Sequence, residues 1–429
     1  MPHNFWMILV DEKLGLYLDF KTYSKNEKNI YDFSSKETNE TNTLVENTTF
    51  IIRKDRSFIR VDMQSDIQKN LGEELLFKVR MRNNDIFMLE NPVPNKNIPL
   101  TIDNINNINN KIWFVLNSNN PKLENENEDY YLCENDVIRM GNIKLMVKEL
   151  HMEETKEEEK KKDDNIKLKE EEENQRNENY DINKLNENGG PIFNFYSQVK
   201  KYFFSRQEAG KENIICNLCK KNNCDKENPI ISFCDCNYFH FQCLKNKIKN
   251  DNIKYFQNDK KAIDTYYIKR YKCETCRLVF PLAFNIEQNE QTYQLFDINK
   301  PHDGNYMILE SIEDKMYYGF LKLIYVIKLT EEIINIGRIM NENDIIIRDP
   351  SISKMHAEIK YDKKKRKILI KNKSHTFGTS ILIKNPLIIK NKKILLQNGR
   401  TLIEAKLMKV GDFEKNINKN TKRHLPKKD

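Results

Sequence analysis

The sequence predicts a mainly β protein that carries one small, metal-stapled α+β module, and three observations predict it. Short β-branched segments run from residue 321 to 396: LKLIYVIKL, DIIIRD, HAEIKY, KILIKN and SILIKNPLIIKNKKILL. Clusters of Asn, Gly, Pro and Lys bound them, which is the pattern of a β-sandwich. Apolar and polar residues alternate again over residues 50–150, in FIIRKDRSFIRV, LLFKVRMRNNDIFML, NKIWFVLN and NIKLMVKEL, and this suggests a second sandwich near the N-terminus. Eight of the nine cysteines fall between residues 216 and 276, a crowding that points to metal.

In chain order, residues 1–49 form an N-terminal segment of partly low complexity. Its apolar run FWMILV (5–10) is too short to span a bilayer and meets Asp11-Glu12-Lys13 too soon to resemble a secretory signal. Residues 20–49, rich in Asn, Thr and Lys, are expected to separate this start from the sandwich at 50–150. In that sandwich the stretch LCENDVIRMG (132–141) can be laid over LQNGRTLIEA (396–405), with Asn135 where the later stretch has Gly399. A left-handed turn tolerates that exchange, and the overlay suggests a worn duplicate.

Residues 151–190 carry alternating acidic and basic blocks with hardly any apolar side chain, so they read as a charged linker, disordered or a solvated helix. Residues 191–284 hold the cysteines, preceded by the aromatic and basic stretch PIFNFYSQVKKYFFSR (191–206), which is expected to pack on the metal module as a flanking helix. Paired thiolates with two residues between them reach one ion while turn amides donate to their sulfurs, and two tetrahedral ions need about eight ligands. The chain offers CNLC, Cys224, FCDCNYFHFQC and CETC. An odd cysteine count and the lack of a secretory signal favour thiols in a reducing compartment over disulfides. The module, poor in large apolar residues, is expected to unfold when its metal is removed.

Residues 285–408 hold the C-terminal sandwich, and 409–429 a basic tail that reads as a solvated end or a weak nuclear signal. Within the sandwich, GRIMNENDIIIRDPSISKMHAEI (337–359) sets Gly337-Arg338, Ser353 and His356 in one stretch. A phosphothreonine brings nearly two negative charges and three acceptor oxygens, and calls for a guanidinium fork, a hydroxyl donor and free backbone amides. Gly337 lets the chain turn out of a strand where a side chain would clash; Arg338 and Ser353 supply the donors.

These residues, with Asp349, Ala357 and Ser374–Thr379, resemble the forkhead-associated (FHA) domain, an eleven-strand β-sandwich that binds phosphothreonine peptides through loops at one end. The resemblance implies that Arg338 and Ser353 contact phosphate and that His356 supports the loop from behind, with Gly337 and Gly378 as loop glycines. The family usually has Asn-Gly-Thr where this chain has Phe377-Gly378-Thr379; the missing Asn would clamp the peptide backbone, and Thr376 and Lys354 are placed to compensate. The N-terminal sandwich has no Gly-Arg loop, Ser-x-x-His or Gly-Thr turn, so it reads as a degenerate FHA-like copy with a structural or docking role.

The cysteine block resembles a RING finger of the variant (RING-CH-like) class, in which the first and third ligand pairs share one zinc ion and the second and fourth share the other. The resemblance implies two zinc ions: one on Cys216, Cys219, His240 and Cys243, the other on Cys234, Cys236, Cys273 and Cys276. Cys224 is left over as a loop thiol near the first site, replacement of Cys219 being the alternative. Such modules commonly act as ubiquitin ligases that position a charged conjugating enzyme. Leu218 and Arg277 match its contact positions and no catalytic nucleophile is required, whereas Lys247 stands where Trp is usual and Glu274-Thr275 lack the usual Pro. A non-enzymatic, phosphorylation-dependent scaffold with structural zinc is the alternative.

At 429 residues, 38% hydrophobic and 32% charged, the chain suits several modest domains instead of one large core. Its net charge of +8 comes from 72 basic and 64 acidic residues, with the lysines dispersed among Asn and Glu. Nucleic-acid binding is not indicated, nor is a membrane segment. The expected setting is intracellular, cytoplasmic or nuclear, and the expected partners are a threonine-phosphorylated protein and a ubiquitin-conjugating enzyme.

Overall fold

The computed structural model describes residues 14–23, 37–45, 49–54, 57–62, 73–83, 86–90, 112–116, 130–153 and, with short breaks, 196–412. Most of the charged segment 151–190, the tail beyond 412 and Phe377 lie outside the described residues.

The first strands are β1 (Leu14–Tyr23), β2 (Glu37–Val45), β3 (Thr49–Lys54), β4 (Ser57–Asp62), β5 (Glu73–Asn83), β6 (Ile86–Glu90) and β7 (Ile112–Val115). Next come β8 (Tyr130–Leu132), β9 (Val137–Met140) and β10 (Ile143–His151). The cysteine module contains β11 (Tyr196–Gln198), β12 (Lys201–Phe203), α1 (Arg206–Lys211), β13 (Ile230–Ser232), β14 (Phe239–His240), α2 (Phe241–Asn252), β15 (Ile253–Asn258), β16 (Ile263–Lys269), β17 (Ala283–Asn285) and β18 (Thr292–Gln294). The C-terminal strands are β19 (Tyr306–Ser311), β20 (Phe320–Lys328), β21 (Ile334–Gly337), β22 (Ile345–Ile346), β23 (Ala357–Asp362), β24 (Lys367–Asn372), β25 (Thr379–Leu382), β26 (Leu387–Ile389), β27 (Ile394–Asn398) and β28 (Thr401–Lys409).

The protein is mainly β, as expected, and its strands form two sandwiches of matching strand order. One sandwich has a sheet running β2-β1-β28-β27-β7 and an opposing sheet β4-β3-β5-β6-β26; the other has β20-β19-β10-β9-β25 and β22-β21-β23-β24-β8. In each, the last three strands come from the other half of the chain. Strands β26–β28 close the sandwich begun by β1–β7, whereas β8–β10 close the one begun by β19–β25. The cores follow the same partition: Leu16, Phe77 and Val79 are buried with Leu396 and Ile403, and Ile138 and Leu145 with Leu309, Ile336 and Ile359. The boundaries expected at 50–150 and 285–408 therefore cut across shared sheets.

Two further expectations change. Residues 14–23 and 37–45, read as part of a low-complexity start, pair as strands from Leu16↔Val45 to Tyr23↔Glu37. The overlay of the two closing hairpins also shifts. Gly141, not Asn135, occupies the place of Gly399: each follows the first strand of a two-residue turn, Met140↔Ile143 and Asn398↔Thr401. Their φ values are 56° and 54°, a backbone region that glycine enters without the Cβ penalty. Asn135 has φ 64° but sits in the β8–β9 loop.

Strand β7 pairs with β25 (Ser380↔Val115, Ile381↔Phe114), fusing the two larger sheets edge to edge. Arg139 braces this seam: its guanidinium lies 4.3 Å from the Trp113 ring centroid, and its Nε donates to Ser380 Oγ at 3.1 Å.

The cysteine module has an aromatic core, contrary to the expectation that it is poor in large apolar residues. Phe233, Phe239, Phe241, Phe280, Phe284 and Tyr293 are buried together, with Phe284 stacked on Tyr293 at 5.2 Å between centroids. The described part of the stretch before it forms strands β11 and β12 and then the short helix α1, and Val199, Tyr202 and Phe204 pack on that core. Between Cys243 and Cys273 the chain makes the β15–β16 hairpin, and β16 pairs with β20 from Ile263↔Ile327 to Lys269↔Phe320. The module thus extends a sandwich sheet, and Tyr266, Ile268 and Phe296 share a core with Ile308, Ile324 and Val326.

Candidate functional site

Two loops meet at one end of the sandwich built on β19–β25. Strand β21 ends in Gly337, and a Cβ there would stand 2.2 Å from Lys354 O and 2.5 Å from Asn343 Oδ1, so only glycine permits the approach. Arg338 follows with its backbone N–H donating to Ser353 O (3.1 Å) and Lys354 O (3.2 Å), and its Nε to Ile352 O at 3.2 Å. Residues 338 and 353 are therefore neighbours, and Arg338 is exposed. Asn343 Nδ2 ties both loops together through Ile339 O and Lys354 O, each at 2.7 Å.

Behind them lies His356, fully buried. Its Nδ1 accepts from Ser353 N at 3.0 Å, so the neutral ring carries its proton on Nε2 and donates to Gly378 O at 2.9 Å. Burial holds its pKa down at about 4, which keeps the ring neutral at neutral pH. Ser353 Oγ lies 2.7 Å from Ser374 Oγ, which also accepts from Gly378 N at 3.2 Å. With Ser374 donating, the Ser353 proton is left for an incoming oxygen. Thr379 turns inward, its hydroxyl donating to Asn372 Oδ1 at 2.9 Å. Lys354 is exposed, and Thr376, between Ser374 and Gly378 in the chain, is half-buried.

Supporting residues that the sequence did not single out come from two places. Asn343 and Ser351 are ordinary loop residues and Asn372 the last residue of β24, none with a spacing signature. Gly141 and Asn142 come from the exchanged β9–β10 hairpin: Asn142 N donates to Ser351 Oγ at 2.8 Å, and Ser351 donates to Asp349 Oδ1 at 2.5 Å. A Cβ on Gly141 would lie 2.3 Å from Ser351 O. The loop bearing Ser353 is thus held in part by residues about two hundred positions earlier in the chain.

The cysteine module brings its ligand-type residues into two sets, each with all ligand atoms within 4.8 Å of one another: Cys216, Cys219, His240 and Cys243, and Cys234, Cys236, Cys273 and Cys276. Each set could hold a metal ion. His240 presents Nδ1 to Cys219 Sγ at 3.2 Å, while its backbone N–H donates to Cys216 Sγ at 3.3 Å. Asn237 links the sets, donating to Cys273 Sγ at 3.2 Å and accepting from Asn217 at 2.8 Å. Cys224 belongs to neither set and packs by Phe203, Ala209 and Ile230.

Leu218 stands 38% exposed between Cys216 and Cys219, with Ile215, Leu278 and Val279 also exposed on the module. Arg277 is exposed and held at φ 62°, its N–H donating to Cys273 O at 3.0 Å. Lys247 pairs with Asp251 at 3.3 Å along α2.

The family model for the FHA domain matches residues 334–403, so the chain carries an FHA domain, and the match spans the Gly-Arg loop, Ser353, His356 and the Gly-Thr turn. No curated protein and no solved structure shows significant similarity to the chain. Among the described residues no helix is long and apolar enough to cross a membrane.

Proposed function

We propose that this protein binds threonine-phosphorylated partners through Arg338, Ser353, Lys354 and Thr376, and that its two cysteine sets hold zinc in a RING-like module that recruits a ubiquitin-conjugating enzyme. The observation that carries the reading is the contact of the Arg338 and Ser353 loops, with the Arg338 side chain exposed and Ser353 fixed by a buried neutral His356. A guanidinium and a hydroxyl so placed suit a dianionic phosphate ester. The donor sets of three thiolates with one imidazole, and of four thiolates, suit tetrahedral zinc. Leu218 and Arg277 are the proposed contacts for the conjugating enzyme and its ubiquitin. Pairing of β16 with β20 holds the two modules together, so a captured substrate would stay near the transfer site. The setting is proposed to be the cytoplasm or nucleus.

A phosphothreonine peptide library bound to the full chain tests the reader: selective retention of phosphorylated peptides, lost in Arg338→Ala, supports it, and equal binding of unphosphorylated peptides overturns it. Native mass spectrometry should find about two zinc ions per chain. Autoubiquitination with a panel of conjugating enzymes tests the ligase. The charged Lys247–Asp251 pair at a position usually apolar in such modules favours a second reading, a phosphorylation-dependent scaffold with structural zinc, which an absence of product from every enzyme in the panel would select.

A further inference from the structure

Beside the Arg338 loop lies a cavity of about 470 Å³ that the phosphate-binding residues do not use. One wall is the β15–β16 hairpin of the cysteine module, through Lys254, Phe256 and Tyr267; the other is the segment after Arg338, through Met340, Ile346 and Arg348. Its volume falls in the range of about 300–1,000 Å³ usual for ligand sites. Phe256 and Met340 are each 57% exposed, an unusual cost for large apolar side chains facing one space. The Phe256 and Tyr267 rings meet edge to face at 5.5 Å, leaving an aromatic wall open. Two cations, Lys254 and Arg348, stand on the lining, whereas the carboxylate of Asp344 accepts from Asn335 N at 2.8 Å and is tied to the backbone.

We infer that this cavity is a second recognition site, which takes an aromatic side chain flanked by a carboxylate from the same peptide whose phosphothreonine is held at Arg338 and Ser353. The inference rests on the reader proposed above. Continuity supports the shared peptide, because residues 338–348 begin at the guanidinium and end in the cavity wall. Charge supports the occupant: an apolar floor takes the ring, and Lys254 with Arg348 meets the neighbouring acid. The cysteine module then does more than sit beside the reader; its hairpin helps choose the ligand. Seven paired residues of β16 hold that hairpin on β20, so the wall is built in advance of binding.

The test uses the full chain and a set of phosphothreonine peptides in which a Glu-Phe pair is moved through the flanking positions, beside a peptide with Ala-Ala throughout. In at least one register the Glu-Phe peptide should bind roughly tenfold tighter, as expected for burying one aromatic side chain. Phe256→Ala, an exposed position, should erase that gain and leave the Ala-Ala phosphopeptide unchanged, while Arg338→Ala should remove binding of both. Equal affinity for all registers, or a gain that survives Phe256→Ala, overturns the inference without touching the reader. Should no phosphopeptide bind, the reader fails by itself, and an unphosphorylated Glu-Phe peptide titrated at high concentration against labelled protein decides the cavity. Amide shifts confined to 254–267 and 340–348 support it, and their absence overturns it.

Discussion

The two sandwiches share a strand order, yet they differ in how one pair of equivalent strands is joined, and that connection carries the Gly-Arg loop in the second. In the first, β3 and β4 are antiparallel with Lys54 paired to Ser57, so two residues separate them. In the second, β21 and β22 run parallel (Ile336↔Ile345, Gly337↔Ile346), which forces the chain out of the sheet and back through residues 338–344. A parallel pair cannot be joined by a tight turn, and the excursion that it requires carries Arg338 at its start. The same strand order thus accommodates a two-residue turn or a seven-residue loop according to the direction of one short strand.

The largest effect that would break this contrast is loss of the guanidinium. Arg338→Ala should lower phosphopeptide affinity by about 3 kcal/mol or more, since charge-assisted hydrogen bonds contribute roughly 1.5–3 kcal/mol each and the fork makes two; fluorescence anisotropy would measure it. A comparable effect should appear as pH dependence. His356 is depressed from 6.5 to about 4 in the folded chain, so between those values the unfolded chain binds the extra proton. Its contribution is fully present above pH of about 6.5 and falls as pH drops toward about 4, by up to roughly 3 kcal/mol. Denaturant melts of the native chain against His356→Asn should lose that slope in the variant.

The hairpin glycines sharpen the comparison further. Gly141→Ala should cost roughly 1–2 kcal/mol for its left-handed backbone and also weaken phosphopeptide binding, because a Cβ there strikes Ser351 O. Gly399→Ala, at the equivalent turn of the other sandwich, should cost a similar stability and leave binding unchanged, so equal binding losses from both would erase the distinction drawn here. The smallest effect belongs to the seam: Arg139→Ala should cost about 1 kcal/mol in melts and nothing in binding.

Much of the candidate site was legible because its signals are local. Gly337-Arg338, Ser353 and His356 stand within twenty residues, and the cysteine pairs announce their metal chemistry by spacing alone. The partition of strands was not. Hairpins 137–148 and 394–405 have the same period-two pattern and the same glycine turn, so nothing in either states which partner it closes, and pairing between strands so distant in the chain leaves no local trace. The β15–β16 hairpin reads in sequence only as a long gap between Cys243 and Cys273. The expected poverty of the cysteine module failed because its aromatic residues are spread from 233 to 293 and gather only after folding. Asn343 and Ser351 stayed hidden for a related reason: polar loop residues acquire meaning from what they face.

The exchange of closing strands constrains how the gene can be dissected. A fragment starting at residue 285 encodes every side chain of the proposed phosphate site but omits β8–β10, and with them the backbone amide that Asn142 offers Ser351; its unsealed sheet edges would invite aggregation. Residues 1–153 alone lack β26–β28 in the same way. Cutting the peptide bond within the charged stretch 154–190 is a different operation, because each piece keeps strands of both sandwiches and each completes what the other lacks, and the two pieces should copurify as a non-covalent pair.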